Sequence, residues 1–321
     1  MSSEIFYCGP LAVSLTAQTQ ALRAKVVEAL DLYTVTWPPP LFPISIDIRE
    51  RDSFASMPAG TYMKCSRMNV DPVAGGLRAA VPSGAECIYL SANSLWSISV
   101  PLNGQHVPED VEDLIGLVLT NSWRQAKWVP IHAGAIVNGS ICAILCAPSG
   151  GGKTTVTASM IRRGWQTLGD DKILLRLQSN GSPLLAALLH NFNLHPKTRD
   201  WFPEVGDLTH LPRYSAWTEK RKVRIVDIWP GSEVLHAVPT HLIQLERSEQ
   251  PKAVELTKLT PDEVLSIFLR QTVIPKDRSF AQLILSTVAS TAQRLTGWRV
   301  EVGDQAYHDP DCLLPLERVL Q

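Results

Sequence analysis

Hydrophobic positions along this chain recur at two spacings, and the switches between them mark out its elements. "GPLAVSLT" alternates Leu11, Val13 and Leu15 with small or polar residues, the period of a half-buried strand. "AQTQALRAKVVEAL" then carries Leu22, Val26 and Leu30 at the spacing of one helix face. Ile44, Ile46 and Ile48 alternate again in "ISIDIRE". The short strands "AECIYLS" and "SLWSISV" flank Ala92 and Asn93 and predict a hairpin. Before Ile44, "WPPPLFP" is a stiff connector, because proline fixes φ and removes a donor. A helix is predicted from Pro108, with Glu109 and Asp110 at its positive end and Val111, Leu114, Ile115, Val118 and Leu119 along one side.

The second half alternates strand and helix patterns. "AIV" and "ICAILC" flank Asn138-Gly139, which predicts a hairpin with a type I′ turn at that dipeptide. A helix is predicted from Lys153 to Arg163, with Gly164 as its cap. "PTHLIQLE" reads as a core strand. "TPDEVLSIFLRQ" opens with the capping-box pattern of Thr260 and Glu263, and "SFAQLILSTVASTAQRLT" reads as a second helix before the strand "GWRVEV". This predicts an α/β protein, α+β overall. The expected domains are a smaller α+β domain over 1–103, a bridging helix over 104–129 and a P-loop catalytic domain over 130–321.

Composition narrows the classes. The chain has 321 residues, a formal net charge of -1 and pI about 6.7, so it lacks the global charge of a nucleic-acid or anionic-membrane binder. No apolar run reaches the roughly 20 residues of a spanning helix, and "MSSEIFYCGP" lacks the pattern of a secretory signal. The six cysteines form no CxxC pair and read as small buried hydrophobes, so a reducing, cytoplasmic setting is expected.

The candidate chemistry sits in "APSGGGKTT". Ala147, four residues, then Gly152, Lys153 and Thr154 is the P-loop spacing with alanine for the first glycine. Ser149, Gly150, Gly151, Gly152, Lys153, Thr154 and Thr155 are the expected nucleotide-binding residues. Lys153 would reach the β- and γ-phosphates, and the Thr154 hydroxyl would ligate Mg²⁺. Asp170 and Asp171 follow just beyond the predicted helix. Neighbouring carboxylates at a strand start point to opposite sides, so one can hold Mg²⁺ while the other faces an acceptor hydroxyl.

The run from His132 to Asp171 resembles the catalytic core of the HPr serine kinase/phosphorylase family. The resemblance rests on His132 at the hairpin start, the apolar hairpin, "PSGGGKT", "RRG" and "DD". It implies ATP as donor and Mg²⁺ as metal. It also implies Asp170 as general base toward a serine, Asp171 as metal ligand, Lys153 and Thr154 on phosphate and metal, and His132 as an active-site residue. The family's glycine-rich "EIRGxG"-type stretch is absent, and "LLHNFNLHPKTRDWFPEV" stands in its region. The "GPL" opening, the tryptophan-containing helix and "WVPIHAGAIV" resemble instead the HPr-kinase-like proteins of peptide-modification systems, among them lasso peptide kinases. Those imply a peptide or protein partner with an acceptor serine at or near the C-terminus of a precursor.

Phosphoryl transfer also needs positive charge on the developing oxygens, and Lys197 and Lys222 are the candidates among the downstream basic residues. His190 and His195 read as loop or core histidines rather than metal ligands. The expected function is an ATP-dependent serine kinase; a small-molecule kinase of the same fold, or a nucleotide-binding regulator without transfer, are the alternatives. No nucleic-acid or membrane partner is expected, and homo-oligomerisation stays open.

Overall fold

The structure is a computed structural model describing all residues except 1–3, 32, 34–40, 53–55, 61, 65–66, 92–93, 103–107, 149, 189–190 and 215–217. Most of the "WPPPLFP" connector, the Ala92-Asn93 dipeptide, Cys65, Ser149 and His190 therefore lie outside the described residues. The fold is mixed α/β, in two compact units: Met1–Trp128 with Ile274–Leu283, and Val129–Val273 with Ile284–Gln321.

The first unit is built on β1 (Glu4–Cys8), β2 (Leu11–Ala17), β3 (Phe42–Arg51), β4 (Met63–Lys64), β5 (Asn69–Val73), β6 (Gly76–Ala80), β7 (Glu86–Leu90) and β8 (Leu95–Pro101), with helices α1 (Gln20–Asp31) and α2 (Pro108–Gln125). The strands form one sheet in the order β1-β2-β3-β8-β7-β6-β5-β4, with β2, β3 and β8 parallel and the other pairs antiparallel. Helix α2, predicted as a bridge between domains, belongs to this unit. Its Trp123 indole donates to the Cys8 carbonyl at 3.0 Å, and its Ser122 accepts from the Trp96 indole of β8 at 3.2 Å. Both tryptophans are fully buried, so the helix is packed and hydrogen-bonded into the unit's core.

The second unit begins with β9 (Val129–Ile131), the hairpin β10 (Gly134–Asn138) and β11 (Ile141–Cys146), and helix α3 (Lys153–Arg162). It continues through β12 (Gln166–Gly169), β13 (Ile173–Leu177), β14 (Pro183–Ala187), β15 (Asn191–Leu194), β16 (Arg221–Arg224), the short α4 (Ile225–Ile228), β17 (His236–Ala237), β18 (His241–Arg247) and β19 (Val254–Lys258). Helix α5 (Pro261–Arg270), α6 (Arg278–Ala292), β20 (Thr296–Val302) and α7 (Leu314–Leu320) complete the chain. The main sheet runs β12-β10-β11-β18-β20-β19, with β11, β18 and β20 parallel at its centre. The hairpin turn is Gly139-Ser140 rather than Asn138-Gly139. Asn138 still pairs with Ile141, and Gly139 alone of the two turn residues has positive φ (58°), whereas a type I′ turn needs two.

Helix α3 is buried on two sides. Val156 and Met160 join the sheet core with Ile136, Leu145 and Ile243. Ala158 and Ile161 face a second core of Phe192, Leu194, Phe202 and Val223. The described residues of 191–224 thus form a cover anchored on the outer side of α3, and this cover supplies one wall of the site. The predicted capping box of α5 is formed, with Thr260 and Glu263 bonding each other's backbone N–H.

Candidate active site

The glycine loop joins the C-terminal end of β11 to the first turn of α3. Gly150 (φ 75°) and Gly152 (φ 94°) hold left-handed backbone that an L side chain resists. Gly151 is required for space instead: a Cβ there would lie 2.8 Å from the Ala147 Cβ and 3.0 Å from the Pro148 carbonyl oxygen. Gly152 is the N-cap of α3 and offers no side-chain cap, so the first N–H groups of the helix remain free to bind an anion.

Lys153 lies back along this loop. It is 7% exposed, its Nζ donates to the Ala147 carbonyl at 3.0 Å, and it stands 3.4 Å from His132 Nε2. The other ring nitrogen of His132 is 3.5 Å from Asp171 Oδ1. Burial is the main cause holding the His132 imidazole below its ordinary value, with Asp171 opposing and Lys153 and Lys172 reinforcing it. A neutral imidazole accepts from the lysine ammonium at Nε2 and turns its Nδ1–H toward Asp171. Lys153, His132 and Asp171 thus form one polar chain along the wall of the site.

The two aspartates have different environments. Asp170 is 2% exposed, accepts from the Thr154 hydroxyl at 2.5 Å, and keeps Oδ1 buried with no hydrogen-bond partner among the described residues. Burial pushes its carboxyl up to about 7, against the pull of the Thr154 hydrogen bond. Gly134 makes room for it: a Cβ there would meet the Asp170 carbonyl oxygen at 3.0 Å. Asp171 instead has a half-exposed side chain and lines the cavity.

The cavity has a volume of about 400 Å³. Its floor is the glycine loop and its wall is the 191–224 cover, which contributes Asn193, His195, Lys197, Trp201 and Lys220. Arg247, the last residue of β18, closes the other side and donates from Nε to the Gly150 carbonyl at 3.2 Å. Among the described residues, four cationic side chains, Lys153, Lys197, Lys220 and Arg247, therefore surround one cavity that holds a single carboxylate, Asp171. That charge balance suits a polyanion.

Most of the predicted residues meet here: His132, Gly150, Gly151, Gly152, Lys153, Thr154, Thr155, Asp171 and Lys197 all line the cavity. Ser149 is outside the described residues. Lys222 is not at the cavity; Lys220 occupies that wall, because β16 starts only at Arg221 and Lys222 is held in the pair with Asn193. Asp170 does not line the cavity either; Asp171 is the carboxylate that does. Arg247 was not singled out from the sequence. Its signal is topological: "THLIQLER" lies parallel beside the glycine-loop strand, and ligands bind beyond the carboxyl ends of such strands.

Among the described residues no group of three His, Cys, Asp or Glu side chains could hold a metal, and no helix is long and apolar enough to cross a membrane. No family model matches the chain, and no curated protein does. Among solved structures it is similar to the HPr(Ser) kinase/phosphatase from Coxiella burnetii, at 15% identity and a TM-score of 0.29, over 50% of this chain and 93% of that one. A likeness of that size carries no argument about activity.

Proposed function

We propose that the protein is an ATP-dependent kinase that phosphorylates a serine hydroxyl of a peptide or protein. One observation carries this reading: a glycine loop at a helix N-terminus, a lysine, and a cavity-facing carboxylate converge on a single cation-lined cavity. The loop N–H groups, Lys153, Lys197, Lys220 and Arg247 bind and orient the triphosphate, and Arg247 sits where it can neutralise charge on the transferred group.

Mg²⁺ fits this site. Asp170 presents a buried carboxylate oxygen without a partner, beside the Thr154 hydroxyl, which is the donor pair of a P-loop metal site. Thr154 and Asp170 would hold the ion, and bound Mg²⁺ would supply charge neutralisation on the phosphates.

The roles of the aspartates are then exchanged relative to the sequence-based expectation. Asp171 takes the proton of the acceptor hydroxyl, because it is the carboxylate that reaches the cavity. His132 orients Asp171 from one side, and Lys153 fixes the imidazole from the other.

The test is incubation with ATP, Mg²⁺ and serine-containing peptides, reading ADP and phosphopeptide. Asp171→Asn is expected to lower kcat by about 10²–10⁴-fold while nucleotide still binds. A kcat within a few-fold of wild type would remove Asp171 as the base. Absence of nucleotide binding would remove the kinase reading itself.

A further inference from the structure

The first unit holds a cavity of its own, about 520 Å³, within the size range of ligand sites. Its walls mix aromatic and apolar side chains (Tyr62, Leu77, Tyr89 and Phe280) with two amides, Asn121 and Gln125. Three polar details separate it from a gap in packing. Asn121 is 1% exposed; its Nδ2 is committed to the Leu117 carbonyl at 3.0 Å, which fixes the amide orientation and leaves Oδ1 buried with no hydrogen-bond partner among the described residues. The Tyr62 hydroxyl is likewise buried without a hydrogen-bond partner among the described residues. Gln125 Oε1 accepts from the Tyr89 hydroxyl at 2.9 Å, so its NH₂ group is the part left to donate.

A buried acceptor and a buried donor left unmade in the same cavity each carry a desolvation cost, so a ligand that satisfies both is favoured. The ligand must therefore offer an N–H to Asn121 and an acceptor oxygen to Tyr62 or Gln125, with an apolar body against the aromatic walls. The rim carries one charge of each sign, Lys276 and Asp277, and the Ser279 hydroxyl and the Phe280 N–H both donate to Asp277 Oδ1. Neither sign of ligand charge is selected. A peptide unit offers a donor and an acceptor of this kind on a neutral frame.

From this geometry we infer that the cavity binds an uncharged stretch of peptide through one backbone amide and an apolar side chain. The binding stands independently of phosphoryl transfer. That the peptide is the phosphoryl acceptor rests on the kinase reading above.

The full chain labelled with 3-fluorotyrosine reports directly, since the protein has six tyrosines and two of them line the cavity. Tyr62→Phe and Tyr89→Phe assign the two resonances. The probes are N-acetyl-leucinamide and N-acetyl-phenylalaninamide, with the N-acetylated free acids as charge-bearing controls. The amides are expected to shift Tyr62 and Tyr89 saturably and leave Tyr214 and Tyr307 unmoved. Asn121→Leu is expected to weaken the amides roughly 2- to 10-fold, the effect of one lost hydrogen bond. Because Asn121 is buried, Leu77→Trp, which fills the cavity from a half-buried position, provides a second variant and is expected to abolish the shifts. No saturable shift in the wild type, or equal affinity in a folded Asn121→Leu and Leu77→Trp, overturns the site. Binding without any phosphopeptide from an ATP assay keeps the site and removes only its link to transfer.

Discussion

At the scale of residues, Asp170 sets the pH behaviour of the site. Its carboxyl stands at about 7 in the folded protein, against 3.8 for an ordinary aspartate. Between those values the folded state binds more protons than the unfolded chain, so stability falls as pH rises from about 4 to about 7 and the loss is complete above that. Asp170→Asn removes the ionisation and keeps an oxygen for Thr154. Without divalent ions, it is expected to melt above wild type by several °C at pH 8, and the gap is expected to close toward pH 4; thermal unfolding across that range checks this. In the proposed metal role of Asp170, protons would compete with the ion for this carboxylate, so the Mg²⁺ concentration for half-maximal activity is expected to fall from pH 6 to pH 8. A flat metal requirement across that range would detach Asp170 from the metal. Lys153→Ala is expected to abolish transfer and weaken nucleotide binding. Unchanged activity of the folded variant would remove the glycine-loop assignment.

At the scale of elements, close packing places Asp170 and Asp171. Strand β12 ends at Gly169, whose φ of 131° turns the chain out of extended geometry. Asp170 then drops under Gly134 of β10, and Asp171 swings toward His132. Gly134→Ala is expected to lower stability by about 1–3 kcal/mol through overpacking and to reduce transfer by displacing Asp170. Thr260→Ala is the contrasting change. It removes the cap of α5 and is expected to cost about 1 kcal/mol with kcat unchanged, as read from melting and steady-state rates together.

The same geometry explains what the sequence made legible. Helix α3, its glycine loop and the α5 cap follow local rules, and they appear where "GGGKTT" and "TPDE" put them. Which aspartate faces the cavity does not follow from alternation at a strand start, because both lie between the end of β12 at Gly169 and the start of β13 at Ile173. Arg247 and Lys220 depend on sheet order and on a cover strand with an irregular approach, and neither leaves a local periodic trace.

At the scale of the whole molecule, the departure from the expected layout is the segment Ile274–Leu283, which belongs with Met1–Trp128 rather than with the residues on either side of it. That has a consequence for the order of events on the ribosome. The first unit is not a complete N-terminal module when Trp128 has been made. It lacks the segment that carries Phe280, and 155 further residues (283 minus 128) must be added before that segment is finished. At about 5–20 residues per second, the wait is roughly 8–30 s. During that time the second unit's glycine loop and central strands β11 and β18 are synthesised, while its own β20 and α7 are still to come. By translation order the first unit is thus completed only at Leu283, with 38 residues of the second (321 minus 283) still to be added. Nascent chains arrested after Val273 are expected to be digested by protease throughout residues 1–128, and chains arrested on a linker added after Gln321, so that Leu283 has cleared the tunnel, are expected to protect that stretch. Equal protection at both arrest points would show that the first unit closes without its late segment.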